Sequence, residues 1–238
     1  FPTRRSSDLG VSVVTIASGV GGAASSLTIA PSSASNGISV GANAGAVTIS
    51  APVVLGGAQT WSVDGTGANG SSLAISGAIT GGSGATLAIS GLVSLSAAAL
   101  ANTYSGTTTI GDGGILMGTV AANLSANSAM VVNGTGILRL NGISNAVPSL
   151  AGTGTVQNNH ASTAATLTVG AANTTTTFSG VLQNGAGGTL ALLKTGTGEL
   201  TLSGANSYTG NTTLTGGAIQ TASTTALGNG SAVTLNQS

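Results

Sequence analysis

Few side chains in this 238-residue chain are equipped to move a proton, hold a metal or attack a bond. The acids are Asp8, Asp64, Asp112 and Glu199, the one histidine is His160, and there is no cysteine. Glycoside hydrolysis needs two carboxylates at a working separation, whereas Asp64, Asp112 and Glu199 stand singly and far apart in sequence. Stacked repeats would bring Asp112 and Glu199 close only if both fall on equivalent parts of different coils. His160, within Gln157-Asn158-Asn159-His160, has no neighbouring carboxylate to orient it, which suits a solvated loop histidine better than a general base. Gly37-Ile38-Ser39-Val40-Gly41 spells a nucleophile elbow, but that device needs a strand-to-helix turn with a base and an acid in support. Gly65-Thr66-Gly67-Ala68-Asn69-Gly70 matches the dinucleotide fingerprint, yet the residues after it alternate like a strand, with no helix N-terminus for a pyrophosphate. The expectation is a protein that is not an enzyme, with no catalytic residue, no cofactor and no metal. Four acids are also too few for calcium-binding nonapeptide repeats.

Three aromatic residues are the candidate ligand contacts: Tyr104, Tyr208 and Trp61. Tyrosine ring faces suit glycans, and Trp61, the only tryptophan, suits an interface anchor. The fixed place of both tyrosines in an internal repeat favours packing at a coil corner instead, and the same holds for Trp61. Thr107-Thr108-Thr109 and Thr174-Thr175-Thr176-Thr177 resemble the threonine arrays of ice-binding solenoids, but they do not recur once per coil. Lys194 and Glu199 flank a Thr-Gly-Thr-Gly turn and are expected to pair across it, an interaction worth at most about 1 kcal/mol at a surface.

The elements that must position these residues are strands. Ala101–Ile110 recurs as Ala205–Leu214, 104 positions on, each copy preceded by a Ser-Gly turn. Such a period marks a stacked array, in which each unit buries its apolar face against a neighbour. Forty glycines, 3% charged and 2% aromatic residues accompany 41% apolar residues, so the chain is neither disordered nor an ordinary globule. Ala46–Ser50, Leu73–Ser76, Leu87–Ser90, Leu138–Leu140, Leu167–Val169, Leu200–Leu202 and Ala232–Leu235 alternate with period two, separated by Gly, Asn and Ser clusters. Leu95–Leu100 reads as strand or turn. Zero net charge, with no basic cluster, argues against nucleic acid as a partner.

A sandwich core about 10 Å thick asks for bulky residues that this chain lacks. The fold class expected is all-β: a single-stranded right-handed parallel β-helix of about ten coils. At the usual inter-strand spacing its length is on the order of 50 Å. Residues 1–9 differ from the rest, hold three of the eight charges and resemble a translated sequencing adapter. They are set apart from residues 10–238, which read as one β-helical domain with repeats centred on 73–116 and 178–220. On that reading the chain is a fragment, and the lack of a signal peptide carries no information.

Leu192-Leu193-Lys194-Thr195-Gly196-Thr197-Gly198-Glu199-Leu200-Thr201-Leu202-Ser203-Gly204-Ala205-Asn206-Ser207-Tyr208-Thr209-Gly210-Asn211-Thr212-Thr213-Leu214 closely resembles the autotransporter-associated β-strand repeat, or passenger-associated transport repeat. Its pattern runs from a lysine and Thr-Gly-x-Gly, through Leu-x-Leu and Ser-Gly-x-Asn-x-Tyr-x-Gly, to a Thr-rich strand. Val53–Val63 is similar to the segment that leads into such repeats, and the copy at Leu73–Leu116 lacks the lysine and the Thr-Gly-x-Gly turn.

The resemblance implies a passenger segment of a secreted bacterial surface protein of autotransporter type, a stalk aiding secretion-coupled folding and display. The partners implied are further β-helix coils and a C-terminal outer-membrane β-barrel of the same polypeptide. The alternatives are an adhesin contacting glycans or a host or neighbouring cell surface and, behind it, a carbohydrate-active β-helix enzyme. The expected location is the bacterial cell surface or secreted, outer-membrane-associated.

Overall fold

The computed structural model describes residues 14–16, 26–31, 36–64, 71–96, 102–119, 124–229 and 232–235. Among them are 25 short strands and no helix. Every strand pairing is parallel. Each strand pairs with one a full turn of chain away, so the chain winds as a β-solenoid with three faces.

The first face stacks Val14–Ile16, Ala46–Ile49, Ser72–Ile75, Leu92–Leu95, Ile115–Gly118, Ile137–Arg139, Thr155–Gln157 and Val181–Gln183. The second stacks Asn36–Val40, Gln59–Val63, Leu87–Ser90, Thr108–Ile110, Met130–Val132, Leu150–Gly152, Thr176–Phe178, Glu199–Leu202 and Ala218–Thr221. The third face is interrupted. One sheet holds Leu27–Ile29, Val53–Leu55 and Ile79–Gly81, and a separate one holds Asn145–Val147, Ala165–Val169, Leu190–Lys194, Thr212–Leu214 and Val233–Leu235.

Alternation fixes which side chain goes in. Strands read buried at every second position, as in Leu190–Lys194 and Ala165–Val169, because successive side chains point to opposite faces. Parallel register then lines identical positions into columns. Leu73, Val93, Leu116, Leu138, Val156 and Leu182 are successive partners, each at most 1% exposed. On the second face Trp61, Ile89, Ile110 and Val132 form a second column.

Eight and nine strands on the two main faces make about eight turns rather than the expected ten. The difference lies in turn length. Leu138 to Val156 spans 18 residues and Val156 to Leu182 spans 26, while Val14 to Val47 takes 33. Leu95 ends a strand, and 97–100 lie outside the described residues, as do 1–9 and the Gly65–Gly70 motif. The elbow-like residues 37–40 lie within the strand Asn36–Val40, which no helix follows.

Candidate functional site: the repeated asparagine–tyrosine corner

The two copies of Ala-Asn-x-Tyr-x-Gly build the same corner. In the first, Asn102 Oδ1 accepts the main-chain N–H of Ile79, one turn earlier, at 2.8 Å. In the second, Asn206 Oδ1 accepts from Leu182 N at 2.7 Å. Both asparagines are 2% exposed, so each satisfies a main-chain donor that has no other access to water. Thr103 N bonds Ile79 O at 2.9 Å, and Ser207 N bonds Leu182 O at 2.9 Å. Each corner therefore lies on the strand beneath it without becoming a strand itself.

Two residues on, the tyrosines turn inward. Tyr104 Oη lies 2.9 Å from Thr108 Oγ1 and Tyr208 Oη lies 2.6 Å from Thr212 Oγ1. Thr108 Oγ1 continues to Ser128 Oγ at 2.8 Å, and Ser128 Oγ donates to Gly106 O at 2.6 Å, which ties the first corner to the turn above. Burial pushes both phenols above their ordinary pKa, against a smaller opposing effect from these hydroxyl partners. Gly106 and Gly210 close the corners. A Cβ would stand 2.2 Å from Ala85 O at Gly106 and 2.4 Å from Leu190 O at Gly210, closer than any side chain tolerates.

The copies occupy different faces. In the first, the strands on either side of the corner, Leu92–Leu95 and Thr108–Ile110, belong to the first and second faces, and the corner stands in the third. In the second, Glu199–Leu202 and Thr212–Leu214 belong to the second and third faces, and the corner stands in the first. Each sheet beneath a corner stops there: the three-stranded sheet ends at Ile79–Gly81 and the first face at Val181–Gln183. The corner thus terminates one sheet while the other two continue. Asn145 makes the corresponding contact where the third face resumes, accepting from Leu124 N at 3.1 Å.

Sequence comparison decides what these corners are. The family model for the passenger-associated-transport-repeat matches residues 90–117 and 192–220. The chain carries this repeat twice. No curated protein and no solved structure matches it. Passenger-associated transport repeats are the repeats of autotransporter passengers, and both matched segments contain a complete asparagine–tyrosine corner. The first match includes the copy without the lysine and the Thr-Gly-x-Gly turn, so the corner and its flanking strands suffice for the likeness.

Tyr104, Tyr208 and Trp61 are all 0% exposed, so none presents a ring face to a ligand. Trp61 Nε1 donates to Gln59 Oε1 at 3.0 Å inside the solenoid. Lys194 corrects the expected surface ion pair. It occupies an inward position between Val169 and Leu214 and is 1% exposed. Its Nζ donates to Thr195 O at 2.6 Å, Gly196 O at 3.2 Å and Gly216 O at 3.3 Å. Glu199 is only half-buried and accepts from Thr201 Oγ1 at 3.3 Å. Position parity explains the separation, since Lys194 lies in phase with the buried leucines of its strand and Glu199 lies out of phase with Leu200 and Leu202. Desolvation lowers the Lys194 pKa.

Asp112 and Glu199 stand at different corners of the solenoid. Asp112 lies in the turn between a second-face and a first-face strand, whereas Glu199 opens a second-face strand after a third-face one. Asp112 Oδ1 accepts from Thr135 N at 2.8 Å and Thr135 Oγ1 at 3.3 Å. His160 Nδ1 accepts main-chain N–H groups of Ser162 and Thr163 at 3.3 and 2.9 Å. Among the described residues no three His, Asp or Glu side chains gather as metal ligands would. The contact missed from sequence was the asparagine ladder. Its signal was the repeated Asn two residues before each Tyr.

Proposed function

We propose that this chain is a passenger-type stalk segment of a secreted bacterial surface protein, whose repeats aid folding as the chain emerges from the cell. The observation that carries this reading is the shared corner of the two matched repeats. Each corner binds the turn below through one asparagine and the following strand through one tyrosine. A unit that satisfies its own sheet edge in this way presents fewer open donors to wrong partners while the rest of the chain is still unfolded. A structural role agrees with Asp112 and Glu199 standing at different corners and with a buried lysine. The whole protein would reside at the cell surface, anchored by a β-barrel of the same polypeptide.

The test is to place this chain between a signal peptide and an outer-membrane β-barrel and measure the protease-accessible fraction on intact cells. Replacing Asn102 and Asn206 together by alanine should lower surface display and leave more chain in the periplasm. Display equal to that of the unaltered chain would reject a role in secretion-coupled folding.

A further inference from the structure

We infer that His160 is an acid-released clasp: protonation of its ring frees the exposed arc 161–163 and loosens the glycine loop 185–188 seated on it in the next turn. This goes beyond the stalk reading and does not depend on it. The connection from the first face to the third is short early in the chain, at 50–52 and 76–78. Later it becomes a set of longer loops, at 140–144, 158–164 and 184–189. Loops held on a rigid frame are where a fold places its moving parts, and the middle one carries the only histidine.

Two sets of contacts hold this middle loop, and only one can titrate. The buried Asn158 accepts Gly142 N at 2.7 Å and donates to Thr163 O at 2.8 Å and Thr189 O at 2.9 Å. Gly188 N donates to His160 O at 2.7 Å. A carboxamide and main-chain groups do not respond to pH, so they fix both ends of the arc. Between those ends Ser162 N and Thr163 N donate to His160 Nδ1 at 3.3 and 2.9 Å. A ring that accepts at Nδ1 is neutral, with its proton on Nε2. A second proton turns Nδ1 into a donor that faces two donors, and both contacts are lost.

The next turn rests directly on the arc. A Cβ on Gly187 would stand 2.4 Å from Ala161 O, and one on Gly188 2.2 Å from Thr163 O. The glycine loop therefore has no clearance to keep its path when the arc shifts. Below, a Cβ on Gly142 would stand 2.9 Å from His160 Cγ, so the ring cannot retreat toward the shaft.

No charge in the packed elements compensates the new proton. Loops 140–144 and 184–189 and strands Asn145–Val147 and Ala165–Val169 contain no acidic, basic or histidine residue. Arg139 ends the first-face strand before loop 140–144, and Lys194 ends the third-face strand after loop 184–189 with its Nζ on carbonyls. Both are cations and offer no acceptor. The described acids stand at other corners: Asp64 and Asp112 between the second and first faces, Glu199 between the third and second.

The test uses the purified, nitrogen-labelled chain. Imidazole nitrogen shifts identify the tautomer, and hydrogen exchange at Ser162, Thr163 and Gly188, corrected for intrinsic rates, is compared between about pH 7.5 and about pH 5. The expected result is a ring protonated only at Nε2 at the upper value. Protection at Ser162 and Thr163 should fall about fivefold or more at the lower one, with Gly188 following and the strand amide of Val156 unchanged. His160→Asn supplies a carboxamide oxygen that caps the same N–H groups without titrating, so its protection should be equal at both values. Should that variant change the circular dichroism spectrum, the tautomer and the pH response of the parent decide alone. A proton on Nδ1 at the upper value, equal protection of the parent at both, no response at Gly188, or the same drop in a folded His160→Asn would each overturn the proposal.

Discussion

The side-chain oxygen of Asn206 accepts the main-chain N–H of Leu182 at 2.7 Å, and its Nδ2 donates to Ala226 O at 2.6 Å. One carboxamide thereby holds three successive turns together and does the work of a missing strand. Asn206→Ala strands a buried donor and a buried acceptor, and the loss of stability should reach about 2–4 kcal/mol. Asn206→Asp keeps the first contact but sets a second oxygen against Ala226 O, so it should rescue little. Urea midpoints of the three proteins check this. An alanine variant within the scatter of the parent would remove the asparagine from its role as terminator.

Tyr208 and Thr212 form a closed pair, with Oη and Oγ1 2.6 Å apart and both residues 0% exposed. Tyr208→Phe leaves the threonine hydroxyl unsatisfied, at a cost of about 1–2 kcal/mol. Thr212→Val alone leaves the phenol unsatisfied at a similar cost. The double variant removes both polar groups together and should cost less than the sum of the two single changes. A double-mutant cycle measures the coupling. Strict additivity would mean that the hydroxyls do not interact.

Much of the architecture is legible in the residues. Leu-x-Leu and Val-x-Val alternation gives the strands and their inward sides, and the spaced Ser-Gly and Asn-Tyr motifs give the repeat. The angular position of each repeat is not legible. The 104 residues between Tyr104 and Tyr208 cover turns as short as 18 and as long as 26 residues, so the second corner arrives one face away from the first. Lys194 departs from the expected surface pair because strand parity outweighs its charge. Its place two residues beyond Leu192 on an alternating strand directs it inward, where carbonyls at the glycine turn replace a carboxylate. Asn102 and Asn206 were visible as motif members, but their partners lie 23 and 24 residues away, a distance set by turn length and not by any local signal.

Trp61 reports on the solenoid interior because it is the only tryptophan and is 0% exposed. Its emission should be blue-shifted, resist iodide quenching in the folded protein, and move to the red on unfolding. Gln59→Leu removes the acceptor of the indole N–H and should lower stability by about 1–2 kcal/mol while leaving the emission blue. Ready quenching in the folded state would place the indole at the surface.

Lys194 is the only lysine, and its lowered pKa gives a pH dependence with a definite sign. Between the folded pKa and the unfolded value near 10.5 the unfolded chain binds more protons, so this group makes stability rise with pH across that window. Tyr104 and Tyr208 act oppositely. Their raised pKa values make stability fall as pH climbs above the unfolded value near 10. Lys194→Met keeps an apolar stem inside but leaves the carbonyls of Thr195, Gly196 and Gly216 without their donor. It should cost about 1–3 kcal/mol at neutral pH. Thermal midpoints of both proteins, taken from about pH 7 to about pH 9.5 to stay below the tyrosine range, separate packing from ionisation. The midpoint of the parent should climb relative to that of Lys194→Met as the alkaline limit is approached. Parallel curves would show that the ammonium is no more costly to bury in this carbonyl cage than to leave in water.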